Sequence, residues 1–163
     1  CWFVGGCFIG SPKMILEVTA WFEKTFRWRI VVPVYGWAPW HQAQAAPDDG
    51  LSVFHGLVAS GVSPKNIVII GDSAGGNLAM VTLKRLKTLG ETLPAGAVLY
   101  SPWVDLRCMT ESYVTKQMAD PMLSGAWLRR MREHYCHGEA LNNPDVSPVS
   151  VSYPLLTLPT KSI

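Results

Sequence analysis

The residues with the clearest chemical potential are Gly71-Asp72-Ser73-Ala74-Gly75-Gly76. An apolar run over 67–70 leads into them, and a helix-like stretch follows from Asn77 to about Leu89. A serine flanked by glycines at the second position on either side is the signature of a nucleophile elbow. Such a serine sits on a turn between strand and helix so tight that its φ becomes positive, which is unusual for a residue with a Cβ. Gly71 and Gly75 supply the missing side chains that the turn requires. The hydroxyl of Ser73 is thereby lifted clear of the sheet, near a helix N-terminus whose N–H groups and dipole favour a developing anion. The same spacing also fits a plain strand–helix turn with Ser73 as an N-cap.

A serine hydroxyl is a weak nucleophile at neutral pH and needs a base. Only His134 and His137 follow Ser73, and both fall in or just after a predicted helix, where surface or capping roles are expected. His41 lies in a loop and reads as structural, and His55 falls within a predicted helix. Asp105 leaves a predicted strand close to the elbow and is read as structural. Asp72, beside the nucleophile, points the wrong way for a proton relay and is expected to order the turn.

The elements that position these groups alternate. Residues 2–4 read as a short strand running into Gly5-Gly6-Cys7. Ser11-Pro12 resembles an N-cap followed by proline at the first helical position, opening a helix to about Phe26. Its apolar face carries Ile15, Val18, Trp21, Phe22 and Phe26. The β-branched run 29–35 reads as a strand. Pro47-Asp48-Asp49 opens a helix with Leu51, Phe54, Leu57 and Val58 toward the core, ended by Gly61. After the elbow helix, 95–100 reads as another strand with Ser101-Pro102-Trp103-Val104-Asp105 as its exit. Apolar runs at 31–32, 68–70 and 97–99 lack alternation, as expected for strands covered on both faces. Strand–helix–strand order predicts an α/β fold with a mostly parallel sheet and a site at the carboxyl ends of the strands.

From Thr110 the pattern changes. Asp120-Pro121-Met122-Leu123-Ser124 reads as a turn before a helix over 125–135, whose apolar face carries Trp127, Leu128, Met131 and Tyr135. This helix is expected to lie over the strand ends as a lid. The predicted organisation is a sheet-and-helix core over 1–109, a lid-like insertion over 110–143, and the start of a further part over 144–163.

Composition narrows the function classes. Hydrophobic residues make up 48% and charged residues 16% of the 163, which supports one packed domain rather than a disordered chain. A net charge of +2 argues against a nucleic-acid surface. The clusters Lys84, Arg85, Lys87 and Arg129, Arg130, Arg132 read as solvated helix faces. No apolar run reaches 18 residues, so no membrane span is predicted. Cys1, Cys7, Cys108 and Cys136 show no metal or disulfide spacing and read as free thiols, weakly favouring an intracellular setting.

Several stretches together resemble the hormone-sensitive-lipase-like carboxylesterases of the α/β-hydrolase fold. Phe3-Val4-Gly5-Gly6-Cys7-Phe8 is similar to that family's His-Gly-Gly-Gly-Phe. The stretch from Val34 through Gly36, Trp37, Ala38, Pro39 and Trp40 to His41 resembles its Tyr-Arg-Leu-Ala-Pro-Glu-His loop. Gly71 to Gly76 matches Gly-Asp-Ser-Ala-Gly-Gly without departure, and Ser101 to Asp105, Asp120 to Ser124 and Ser147-Pro148-Val149 resemble later segments. The resemblance implies a serine carboxyl-ester hydrolase without cofactor or metal, acting on a small-molecule ester through an acyl-enzyme on Ser73. It implies an oxyanion hole formed by the backbone N–H groups of Gly6, Cys7 and Ala74. Cys7 departs from the family glycine, and its Cβ restricts the loop torsions. Val4 replaces the family histidine that braces this loop. Trp37, Trp103 and Trp127 suggest an apolar acyl pocket. The acid and histidine of the family triad are expected beyond residue 150. The chain thus reads as a central piece of such an esterase, truncated at both ends and weak or inactive alone. A non-catalytic binding or interaction protein on a decayed hydrolase scaffold, or a serine amidase, are the alternatives.

Overall fold

The computed structural model describes residues 1–3, 12–36, 38, 40–41, 43, 45–136 and 138–150. Its centre is a three-stranded parallel sheet in the order β1 (Trp2–Phe3), β2 (Val68–Asp72), β3 (Gly96–Tyr100). Trp2 pairs with Ile70 and Phe3 with Gly71, while Val68 through Asp72 pair in register with Gly96 through Tyr100. Parallel pairing requires crossover connections, and helices supply them. Between β1 and β2 run α1 (Leu16–Phe26), entered through a 3-10 turn at Pro12–Ile15, and α2 (Ala45–Ala59). Between β2 and β3 runs α3 (Ser73–Thr88), which begins four residues earlier than the sequence pattern suggests. Beyond β3 come the short α4 (Ser112–Thr115) and α5 (Gly125–Tyr135), the latter with the predicted bounds.

The main core forms where α2 and α3 pack on one face of the sheet. Phe3, Phe54, Ile67, Ile69, Leu78, Leu83 and Leu86 are buried together there. Gly50 of α2 admits this packing, because a Cβ there would stand 2.5 Å from the Thr82 hydroxyl of α3. Gly61, at φ +92, ends the α2 connection as the sequence suggests. A second, smaller cluster of Ala43, Leu106, Cys136 and Val146 joins the β3 exit to the end of α5.

Three expectations need correction. The run 29–35 forms no strand among the described residues. Pro33 stands in its middle, lacks an N–H and cannot donate to a ladder. The second correction concerns burial at β3. β2 is buried through Ile69, Ile70 and Gly71, but on β3 Val98 and Tyr100 remain exposed while Ala97 and Leu99 pack inward. One face of that strand is therefore left partly exposed by the described residues. The third concerns the basic cluster of α3. Lys84 and Arg85 are not solvated but pair with Asp145, and Arg85 also reaches Asp48 at 2.5 Å.

The apolar stripe of α1 exists, but it faces outward. Thr19 is the buried residue of this helix, while Leu16, Val18, Trp21 and Phe26 are exposed. Among the described residues, no helix is long and apolar enough to cross a membrane.

Candidate active site

β2 ends at Asp72 and α3 starts at Ser73, so the direction of the chain changes within one residue. Ser73 bears the strain of that change, with φ at 51°. A left-handed conformation at a non-glycine residue costs on the order of 1–3 kcal/mol and persists only where its surroundings impose it. Gly71 makes the turn sterically feasible, because a Cβ there would overlap the carbonyl of Gly75. Asp72 occupies the N-cap position of α3 but makes no capping hydrogen bond with its side chain. The first N–H groups of α3, Ala74 among them, lack intrahelical acceptors and carry the positive end of the helix dipole.

The exit of β3 closes on this turn. The N–H of Trp103 donates to the carbonyl of Ser73 at 2.9 Å. The side-chain amide of Asn77 donates to the carbonyl of Trp103 at 2.9 Å and to that of Val146 at 2.8 Å. Gly76 lets Pro102 approach, since a Cβ there would stand 2.7 Å from the Pro102 Cβ. Ser101, just before that proline, also has a positive φ, at 41°. Farther out, the Ser147 hydroxyl accepts the N–H of Leu106 at 3.0 Å.

α5 is joined to the same exit loop. Arg132 donates to the carbonyls of Leu106 and Arg107 at 3.2 and 2.6 Å, and the Tyr135 hydroxyl donates to the carbonyl of Ala43 at 3.0 Å. Tyr135, Trp103 and Leu106 close a largely apolar cavity of about 40 Å³ against Ala74, Asn77 and Tyr35. Trp127, by contrast, is exposed.

The described aspartates downstream of the serine, Asp105, Asp120 and Asp145, are held by other partners. Arg107 bonds both carboxylate oxygens of Asp105 and holds that carboxyl below its usual range. Asp120 accepts the N–H groups of Leu123 and Met122, which lowers its pKa. Burial opposes ionisation of Asp145, but hydrogen bonds from Lys84 and Arg85 outweigh it and hold the carboxyl below its ordinary value. Among the histidines, His55 is exposed on α2 and lies 2.8 Å from Glu91. His41 is exposed beside Gly36, and His134 is exposed on α5. Burial pushes the Cys136 thiol up to about 11, so it stays protonated and serves as core.

The structure therefore brings together Ser73, Ala74 and the β3 exit. Gly5, Gly6, Cys7, Val4, Trp37, Pro39, His137 and 151–163 lie outside the described residues. The sequence pattern marks Gly76 as part of the motif and Asn77 as the start of the helix but assigns neither a role of its own. The signal was present at Asn77, a poor helix former followed at once by the buried residues Leu78 and Ala79.

A parallel sheet with a strained serine between its central strand and the next helix is the strand–turn–helix arrangement of the α/β-hydrolase architecture. Comparison makes this specific. The sequence model of the alpha/beta hydrolase fold family matches residues 1–162. The chain is 33% identical over 145 residues to an acetyl-hydrolase of Streptomyces hygroscopicus, covering 88% of this chain and 48% of the relative. It is equally 33% identical over 146 residues to an esterase of Acinetobacter venetianus, covering 89% and 48%. A crystal structure of an esterase from the bacterial hormone-sensitive lipase family superposes with a TM-score of 0.86 at 30% identity, over 91% of this chain and 50% of the other. The chain belongs to the α/β-hydrolase fold family, within its hormone-sensitive-lipase-like carboxylesterase branch. It spans about half the length of the curated relatives it matches.

Proposed function

We propose that Ser73 is the nucleophile of a carboxyl-ester hydrolase working through an acyl-enzyme. The observation that carries this reading is the positive φ of Ser73 at the junction of β2 and α3. Strain of that kind is retained where the surroundings impose it, and it clusters at reacting groups. In the first step the Ser73 oxygen attacks the ester carbonyl carbon while its proton passes to a base. The carbonyl electron pair moves to oxygen, and the tetrahedral species collapses with loss of the alcohol, which takes up that proton. Water then repeats the sequence on the acyl-enzyme and releases the acid. The Ala74 N–H, in the first turn of α3, is one donor to the oxyanion, and the N–H groups of Gly6 and Cys7 are the others.

The base and its orienting acid lie outside residues 1–150 in this reading. Asp105, Asp120 and Asp145 are held by Arg107, by backbone N–H groups and by Lys84 with Arg85. In this fold the acid and then the histidine follow the nucleophile. By itself the chain is accordingly near background on p-nitrophenyl acetate.

The test is to graft the chain into the Acinetobacter venetianus esterase in place of the segment it matches. The graft should hydrolyse p-nitrophenyl acetate, and Ser73→Ala should lower kcat by about 10⁴–10⁶-fold. Turnover that survives Ser73→Ala, or that His134→Ala abolishes in the isolated chain, overturns the assignment.

A further inference from the structure

We propose that Asn77 is a positioning residue that fixes the strained conformation of Ser73 through the Ser101-Pro102-Trp103 turn. The proposal rests on the reading of Ser73 as nucleophile.

The chain of contacts is short and closed. Ser73 would relieve its strain by rotating about φ, which would swing its carbonyl away from the N–H of Trp103. That N–H can hold the carbonyl only if Trp103 is itself fixed. Asn77, one helical turn after Ser73, supplies the fixing bond by donating to the carbonyl of Trp103. Trp103 is thus held at both ends of its residue, at the carbonyl by Asn77 and at the N–H by Ser73. The second proton of the Asn77 amide goes to Val146, which anchors the same side chain to the segment after α5. Asn77 is buried, so water does not compete for these bonds.

Two further observations point the same way. The approach of Pro102 to Gly76 sets the turn against the helix at a distance that a Cβ would forbid. Ser101 takes a positive φ immediately before a proline, where the preceding residue normally prefers extended torsions. Two strained residues therefore stand at neighbouring strand exits, Ser73 after β2 and Ser101 after β3. Ser73 is held by the loop that Ser101 begins, and Pro102 of that loop packs against the helix that Ser73 begins. An aspartate at 77 would present only acceptors to two carbonyls, and a leucine would leave both carbonyls without a donor. Neither change touches the reacting atoms.

The experiment combines Asn77→Leu with the milder Asn77→Ser, which keeps one donor. Backbone amide exchange in the 163-residue chain should speed up at Trp103 by at least about tenfold, while Leu83 and Leu86 in the second half of α3 change by less than about twofold. In the graft, kcat on p-nitrophenyl acetate should fall by about 10²-fold for Asn77→Leu with KM unchanged, because the misplaced groups act only in the transition state. Asn77→Ser should fall between the two proteins and carries the same reading if Asn77→Leu does not fold. Exchange at Trp103 that is unchanged, or that rises in step with Leu83 and Leu86, overturns the proposal, as does an unaltered kcat. If the graft is active but indifferent to Ser73→Ala, the nucleophile assignment fails, and the exchange measurement still decides whether Asn77 holds the turn.

Discussion

The unit β2–α3–β3 and the strip formed by α1 with residues 27–36 are built from similar proportions of apolar residues, yet they end in opposite states. In the first, Ile69, Leu78, Val81 and Leu86 are buried, and the buried Asn77 amide has an acceptor for each of its protons. In the second, the rings pack on one another. Phe26 stacks on Trp28 at 5.1 Å, and Trp21 meets Phe22 edge-on at 5.2 Å, while Trp21 remains 56% exposed. The elbow is thus completed by residues near it in sequence and by the exit of the next strand. The α1 strip has an apolar face that the described residues do not cover. Local geometry for chemistry and closure of the surrounding shell are separate achievements of the sequence.

That contrast can be broken most severely at Gly71. Gly71→Ala would drive a Cβ into the Gly75 carbonyl, which is backbone and cannot rotate aside. A loss of about 3 kcal/mol or more is expected in chemical denaturation, among the large effects for a single methyl group. A loss below 1 kcal/mol would mean that the turn is looser than described.

Next in size is the ion network behind the elbow helix. Asp145→Ala removes the acid shared by Lys84 and Arg85, whose side chains are only 16% and 15% exposed, and should cost about 2 kcal/mol, although Arg85 keeps Asp48. Asp48→Ala should cost under about 1 kcal/mol, because that carboxylate is mostly in water. Equal losses would contradict the burial difference. The pH dependence follows in sign. The carboxyl of Asp145 is held below its unfolded value, so its contribution is complete above the ordinary aspartate pKa of about 3.9 and is lost as pH falls through the lowered value. Denaturation midpoints should decline on acidification below about pH 4, and Asp145→Ala should flatten that decline.

The smallest stability effect belongs to the α1 strip. Trp21→Ser should change stability by no more than about 0.5 kcal/mol, as expected for an exposed side chain. The isolated chain should bind a hydrophobic dye, and Trp21→Ser with Phe26→Ser should reduce the signal. A large stability loss on Trp21→Ser would place that ring in a packed core and erase the contrast.

Much of the central unit was legible because its signals are local. The glycines around Ser73 announce a turn, and the bounds of α5 follow from the cap at Ser124, whose side chain accepts the N–H of Trp127. The bonds between distant segments were not legible. Nothing near Lys84 and Arg85 indicates that Asp145 will meet them, and a basic cluster on a helix reads as solvated until its acid is found across the fold. The run 29–35 misled for a different reason. Its β-branched residues argue for a strand, but Pro33 removes a donor that only the ladder itself would reveal as necessary. Asn77 directly follows the motif Gly71 to Gly76, but its acceptors on Trp103 and Val146 lie 26 and 69 residues away in the chain, beyond any local pattern.

The register of the sheet has a consequence for how the chain acquires its shape. Val68 finds Gly96 across one helix, whereas Trp2 must find Ile70 across two helices and the long passage between them. Each doubling of a closed loop adds only about 0.6 kcal/mol of entropy, so the final balance is little affected, but the search is longer. Of these two pairings, β1 with β2 is therefore the one that closes the longer stretch of chain. During synthesis β1 can pair with β2 only after β2 has emerged. The unit β2–α3–β3 is then positioned to assemble on its own short crossover and to act as the template that captures β1. In such an order the turn at Ser73 sets before the sheet acquires its third strand.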